Sequence, residues 1–530
     1  MSPLFADRLI YANNILTLAD GRQSVHGLAL RGGRIVACGS RQQLETLANG
    51  STIIDDFGEK TILPGLVDAH IHLAQYALSL GMIDCLTPDL ETCLQRVADK
   101  AETTPPGTWI QGHGWDQNLW DRWPAAEDLD RVAPHHPVYL TARSLHAAVA
   151  NSRALRSAGL EVKSPDPPQG KLGRTTDGSL DGVLLEEAAM AMVANTIPAP
   201  NAHALADLLV EAQEVLWQLG VIGVHDFDGP DCFRALQILA ERGELGLRVL
   251  KAIRGEQMEA AIEAGLRSGF GDEWIRIGNV KFFADGALGP RTAAMATPFA
   301  DDPSNRGILR MDLEEITVVG LKARDAGLGL AVHAIGDRAN RVVLDALQTI
   351  HTSASPSPAL RDRMEHLQLM QPSDLERPAG LDVIASMQPI HATSDMDMAS
   401  VAWGDRIQMS YAWRSILDSG ATLVFGSDAP VENPNPFWGI HAAVTRQSRS
   451  HPMEPWVPEQ RISLSEALCA YTQGPAVAAG LEAWTGKLLP GYAADLIVLD
   501  NNPFEIHPQQ LHEVLPIATM VDGQWRYRSA

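Results

Sequence analysis

Eight short apolar runs separated by helix-like stretches constrain this 530-residue chain more than any other feature. They fall at 65–72, 220–227, 245–253, 275–283, 328–335, 363–369, 383–389 and 422–427. Buried strands alternating with helices are the pattern of a parallel α/β arrangement, and eight such units fit a (β/α)8 TIM-like barrel whose site lies at the C-terminal ends of its strands. An open doubly wound sheet is the structural alternative. Residues 7–63 show shorter runs broken by turn signals, with Gly32-Gly33 suited to a tight hairpin, and 494–499, 517–521 and 524–527 repeat the pattern at the other end. The two ends are therefore expected to pair into a small β-sandwich domain, residues 1–63 with 484–530, around a barrel at 64–483. An insertion at about 85–200, rich in proline and tryptophan, reads as a long irregular region.

The formal net charge of −23 argues against nucleic acid or an anionic membrane as partner and leaves a small-molecule substrate. Residues 1–7 lack the basic start and apolar core of a signal peptide, and no apolar run is long enough to span a bilayer, so a cytoplasmic protein is expected. Five scattered cysteines without a Cys-x-x-Cys pair read as free thiols. The serine-hydrolase elbow, the phosphate loop, the dinucleotide fingerprint and His-Glu-x-x-His are all missing from the sequence, which disfavours those enzyme classes.

The chemistry sits at the strand ends. In Gly65-Leu66-Val67-Asp68-Ala69-His70-Ile71-His72 the period of two puts His70 and His72 on one face, where both imidazoles can reach one metal ion. Lys281 interrupts the buried run at 275–283, and a buried ammonium must be paired, neutral or modified. His333, His366 and Asp428 each close a later run. Any one of them read alone is a core or capping residue; six together at strand ends point to a metal centre.

Two histidines on strand one, a lysine on strand four, histidines on strands five and six and an aspartate on strand eight resemble the amidohydrolase superfamily over nearly the whole chain. Gly114-Trp115-Asp116, Asn151-Ser152, Gly182-Val183-Leu184, the stretches at 281–286 and 333–339 and Gln388-Pro389-Ile390-His391 resemble its YtcJ-like branch, which includes N-substituted formamide deformylases. Two positions depart from that pattern: Leu145 precedes His146 where glycine is common, and Pro290 precedes Arg291 where serine is common. The resemblance implies that Lys281 is carboxylated and bridges two divalent ions, zinc or a similar metal. His70, His72 and Asp428 would hold one ion, and His333 and His366 the other. A one-metal site using His70, His72, Asp428 and one later histidine is the rival. A homodimer is implied by the resemblance only.

A metal lowers the pKa of coordinated water and polarises a carbonyl, so the set predicts a metal-dependent hydrolase acting by attack of hydroxide; the resemblance implies an amidohydrolase cleaving an amide-type carbon–nitrogen bond, with a small N-formyl or N-acyl amine as the expected substrate. Asp428 is the expected general base and then acid. His391 is a candidate oxyanion stabiliser, and Trp115, His146 and Arg291 are candidates for substrate contact. Asp337 is expected to cap the helix after strand five. The same centre could serve a deaminase or a cyclic amide or lactone hydrolase, and a non-catalytic binding or regulatory barrel is the reading from another class.

Overall fold

The computed structural model describes residues 5–19, 24–116, 119–120, 122–143, 146–353, 357–449 and 454–529. The chain divides into two compact units, 1–76 with 202–530, and 77–201.

The larger unit contains eight parallel strands, β1 (Leu66–Ile71), β2 (Val221–Asp226), β3 (Arg248–Arg254), β4 (Ile275–Phe283), β5 (Leu330–Ala334), β6 (Arg363–His366), β7 (Ile384–Met387) and β8 (Leu423–Phe425), hydrogen-bonded in sequence order. The ends meet through Asp428 N–H donating to His70 O at 2.7 Å and His72 N–H donating to Ala429 O at 2.9 Å, so the sheet closes into the expected barrel. Helices pack outside it for ordinary reasons. Asp337–His351 buries Ala339, Val343, Leu347 and Ile350, spaced three and four apart, and Pro230–Arg242 starts on Pro230 and ends on Gly243 at φ 69°.

Both chain ends enter one eight-stranded sheet, in which Thr61–Pro64 runs antiparallel to Leu496–Leu499. Strand Arg8–Leu16 slips register between Tyr11 and Ile15, and its two halves take different partners, Ile53–Asp56 and Thr61–Pro64. The hairpin between Ser24–Arg31 and Arg34–Gly39 turns on Gly32 and Gly33 at φ 53° and 75°, as two glycines allow. The sheet is tied to the barrel by the buried pair Arg248 Nε to Asp495 Oδ2 at 2.6 Å.

The smaller unit corrects the reading of 85–200 as irregular. It is a six-stranded sheet with its own core of Cys93, Leu94, Val97, Trp115, Leu129, Val138 and Leu140 and with helices at Leu90–Thr103 and Ala126–Val132. Its strands are two to six residues long, too short to show a clear period among the prolines and tryptophans. Among the described residues no helix is long and apolar enough to cross a membrane.

Candidate metal centre

Barrel closure builds the centre. β1 delivers His70 and, one residue past its end, His72; the turn after β8 delivers Asp428. Gly426 is needed at the seam, since a Cβ there would lie 2.3 Å from His70 N and 2.8 Å from Asp68 Oδ1. The carboxylate of Asp428 then faces three imidazoles: Oδ1 is 3.6 Å from His70 Nε2 and 3.4 Å from His72 Nε2, and Oδ2 is 3.8 Å from His391 Nε2. His366, at the end of β6, stands with its ring centroid 4.9 Å from His70 and 4.6 Å from His333. His391 lies in the first turn of the helix after β7, parallel to His366 at 6.2 Å. Ligand atoms of His70, His72 and Asp428 lie within 4.8 Å of one another, as do those of His366, His391 and Asp428. His366 and Asp428 hold φ of 78° and 60°, strain of about 1–3 kcal/mol each that the surrounding barrel maintains.

The remaining ring nitrogens are fixed by neighbours. His70 Nδ1–H donates to Glu365 Oε2 at 2.6 Å, His72 Nδ1–H to Asp228 Oδ1 at 3.2 Å, and His366 Nδ1–H to Gln388 Oε1 at 2.7 Å, which leaves the Nε2 of His70 and of His366 with its lone pair toward the shared space, while the Nε2 of His72 faces Asp428 Oδ1. Gln368 Nε2–H meets His391 Nδ1 at 3.3 Å. His333 is turned the other way, its Nε2 on Gly286 O at 2.9 Å, so Nδ1 is its available atom. Lys281 is buried, its Nζ without a hydrogen-bond acceptor among the described residues and 4.8 and 5.1 Å from the ring centroids of Phe227 and Phe283.

Electrostatics follow from burial against these partners. Burial, aided by the Lys281 charge, pulls His70 down to about 4 and His333 to about 3, keeping both neutral. Burial lowers Lys281 to about 8. For His72 burial is outweighed by hydrogen bonds to Asp228 and Asp428, which push it up to about 9. Burial alone would raise Asp428, yet the His72 hydrogen bond and the neighbouring imidazoles hold it well below the carboxylate range. Two carboxylates around one imidazole favour a positive charge at that point, and neutral imidazoles with an anionic carboxylate and an orphaned buried lysine are a donor set that fits a divalent metal.

The structure thus brings His70, His72, Lys281, His333, His366, His391 and Asp428 to one barrel mouth. It treats the expected substrate contacts differently. Trp115 is fully buried in the core of the smaller unit, its indole N–H donating to Leu140 O at 2.9 Å, a packing role and not an open face for a ligand. His146, in the same unit, lies 3.0 Å from Glu186 Oε2 with its side chain largely exposed. Arg291, at φ 56°, binds Asp301 at 2.7 Å and the Leu288 carbonyl at 3.0 Å. Leu145 lies outside the described residues. Asp337 does not cap its helix: Gly336 holds the cap position, and Asp337 Oδ1 accepts Ala296 N–H at 2.8 Å.

Sequence reasoning passed over Glu365, Arg363, Asp228, Gln388 and Gln368. The signal was present in Arg363-Met364-Glu365-His366, three ionisable side chains in a fully buried four-residue strand. Arg363 Nε donates to Glu365 Oε1 at 2.5 Å, and Arg363 also binds the Ala69 carbonyl and Ser386 Oγ, both at 2.8 Å.

Comparison with known proteins gives a consistent result. The sequence signature of the amidohydrolase family matches residues 56–527. The chain is 30% identical to the putative amidohydrolase YtcJ of Bacillus subtilis, covering 97% of this chain and 98% of that one. It is 27% identical to an N-substituted formamide deformylase of Arthrobacter pascens over 98% of each. The crystal structure of an uncharacterized metal-dependent hydrolase from Pyrococcus furiosus superimposes with a TM-score of 0.79 at 31% identity, covering 94% of this chain and all of that one.

Proposed function

The chain belongs to the amidohydrolase family, and from that premise we propose that it hydrolyses the amide-type carbon–nitrogen bond of a small N-formyl or N-acyl amine. The observation that carries the reading is Asp428, one carboxylate within 3.4–3.8 Å of three imidazole Nε2 atoms delivered by β1 and the helix after β7. The relative that acts on N-substituted formamides supports the choice of bond.

In this proposal His70, His72 and Asp428 hold one divalent ion, zinc or a similar metal. His333 and His366 would hold a second, and Lys281, once carboxylated, would supply an anionic ligand. Carboxylation would convert the orphaned amine of Lys281 into an anion between the ligand sets. The ions, when bound, supply Lewis acidity that brings water near neutral acidity and polarises a carbonyl. The chain's residues do the rest. Asp428 accepts the proton of the attacking water and returns it to the leaving nitrogen, so the amine departs neutral as its bond to the carbonyl carbon breaks. His391, whose Nδ1 meets an amide N–H of Gln368, carries its proton on Nε2 and donates it toward the developing oxyanion.

The test is product detection by mass spectrometry after zinc-loaded protein meets a panel of N-formyl amines, N-acyl amines, cyclic imides, lactones and aminated heterocycles, beside a chelated control. Chelator-sensitive release of an acid and an amine supports the proposal. Ammonia or a ring-opened acid would replace it with a deaminase or cyclic amide or lactone hydrolase on the same centre.

A further inference from the structure

The histidines of the centre are backed unequally. His70 and His72 each give Nδ1–H to a buried carboxylate, Glu365 at 2.6 Å and Asp228 at 3.2 Å. His366 gives Nδ1–H to the neutral amide of Gln388 at 2.7 Å, and His391 meets the amide of Gln368 at 3.3 Å. A carboxylate behind an imidazole draws its proton outward and makes the opposite nitrogen a stronger donor; a neutral amide does this weakly. We propose that Glu365 and Asp228 are positioning residues that make the His70–His72–Asp428 end of the centre its high-affinity metal position, and that the amide-backed His366 end is the exchangeable one. The inference rests on reading the site as a metal centre.

Both carboxylates are built for this work. Glu365 is fully buried, its second oxygen held by Arg363, so its charge is retained in the barrel interior and its orientation cannot drift. Asp228 follows β2 and also accepts Ala74 N–H at 2.7 Å and Gln75 N–H at 3.1 Å, which locks the chain just beyond His72. Asp226, Asp228 and Cys232 could themselves suggest a separate cation site, but the Lys251 ammonium stands there, 2.8 Å from Asp226 Oδ2 and 2.5 Å from Asp228 O. Asp228 is thus spent on His72.

The experiment measures zinc affinity by chelator competition in wild type, Glu365→Gln, Asp228→Asn, Gln388→Leu and Gln368→Leu, each checked for folding by circular dichroism. Gln at 365 keeps the volume but offers only one acceptor oxygen to His70 and Arg363, so its fold is also checked by melting temperature, and Asp228→Asn, which leaves Arg363 paired, gives the independent reading. The expected result is that Glu365→Gln and Asp228→Asn each weaken the tightest-held zinc by about 10–100-fold, while the two leucine variants leave it within about threefold. Unchanged affinity in the folded carboxylate variants, or loosening of the tightest zinc by the leucine variants, overturns the assignment. Should Glu365→Gln not fold, Asp228→Asn decides alone. A folded wild type that holds no zinc would instead sink the metal-centre reading itself, and with it this inference.

Discussion

Asp428 combines three imidazole contacts with a left-handed backbone, so a substitution there should preserve shape and change only charge and proton capacity. Asp428→Asn is expected to keep much of its metal yet lose at least about 100-fold in turnover, because an amide cannot take the proton of water or return it; metal content and product formation on one sample check this, and near-normal activity would remove Asp428 from its proposed role. His72 gives a prediction in pH. Its pKa is raised to about 9 from 6.5, so it contributes stability that is fully present below pH 6.5 and lost as pH rises through 9. A shift of that size is worth up to about 3 kcal/mol. In chelator-treated protein, the melting temperature of wild type minus that of His72→Asn should therefore fall between pH 6.5 and 9, and a flat difference would show that Asp228 and Asp428 do not hold a proton on that ring.

At the scale of elements, the decisive feature is the seam between β1 and β8. Each strand carries donors that are useless until the seam forms, because Asp428 reaches His70 and His72 only through it. Gly426→Ala places a methyl group against His70 N and Asp68 Oδ1, with no flexible far end to give way. The variant is expected to lose about 1–3 kcal/mol of stability and, more tellingly, to retain less of the zinc it is loaded with. Thermal melts and metal content together test the point; a variant that melts lower but binds zinc normally would mean the seam can widen without disturbing the ligands.

At the scale of the whole molecule, the two chain ends, more than four hundred residues apart in sequence, share a sheet that anchors the barrel through Arg248 and Asp495. Both side chains are buried, and the contact is two-pronged, Nε to Oδ2 at 2.6 Å and Nη2 to Oδ1 at 3.0 Å. Asp495→Asn leaves the guanidinium without its main partner and should cost about 3–5 kcal/mol, seen as a drop of several degrees in the melting temperature. Asp495 lies on the terminal sheet and not at the barrel mouth, so turnover well below that temperature should change little.

The residues that decide their own surroundings were legible in the chain. Apolar runs of strand length announced the eight strands, a period of two put His70 and His72 on one face, and a lysine in a buried run declared that something must accommodate its charge. Gly32-Gly33 announced its hairpin, because a turn is local. What required tertiary structure was partnership across distance. Glu365 stands 295 positions from His70, Gln388 is 22 from His366, and no pattern along the chain says which nitrogen of which imidazole faces inward. Trp115 shows the reverse case: its residue type suited both a substrate contact and a core, and only packing made it core. The insertion's strands were too short for periodicity to show, and pairing between them is what made them strands. Sequence fixes what a side chain can do and which way a strand presents it, because both are local; which charge ends up beside which depends on barrel closure, and that belongs to the fold alone.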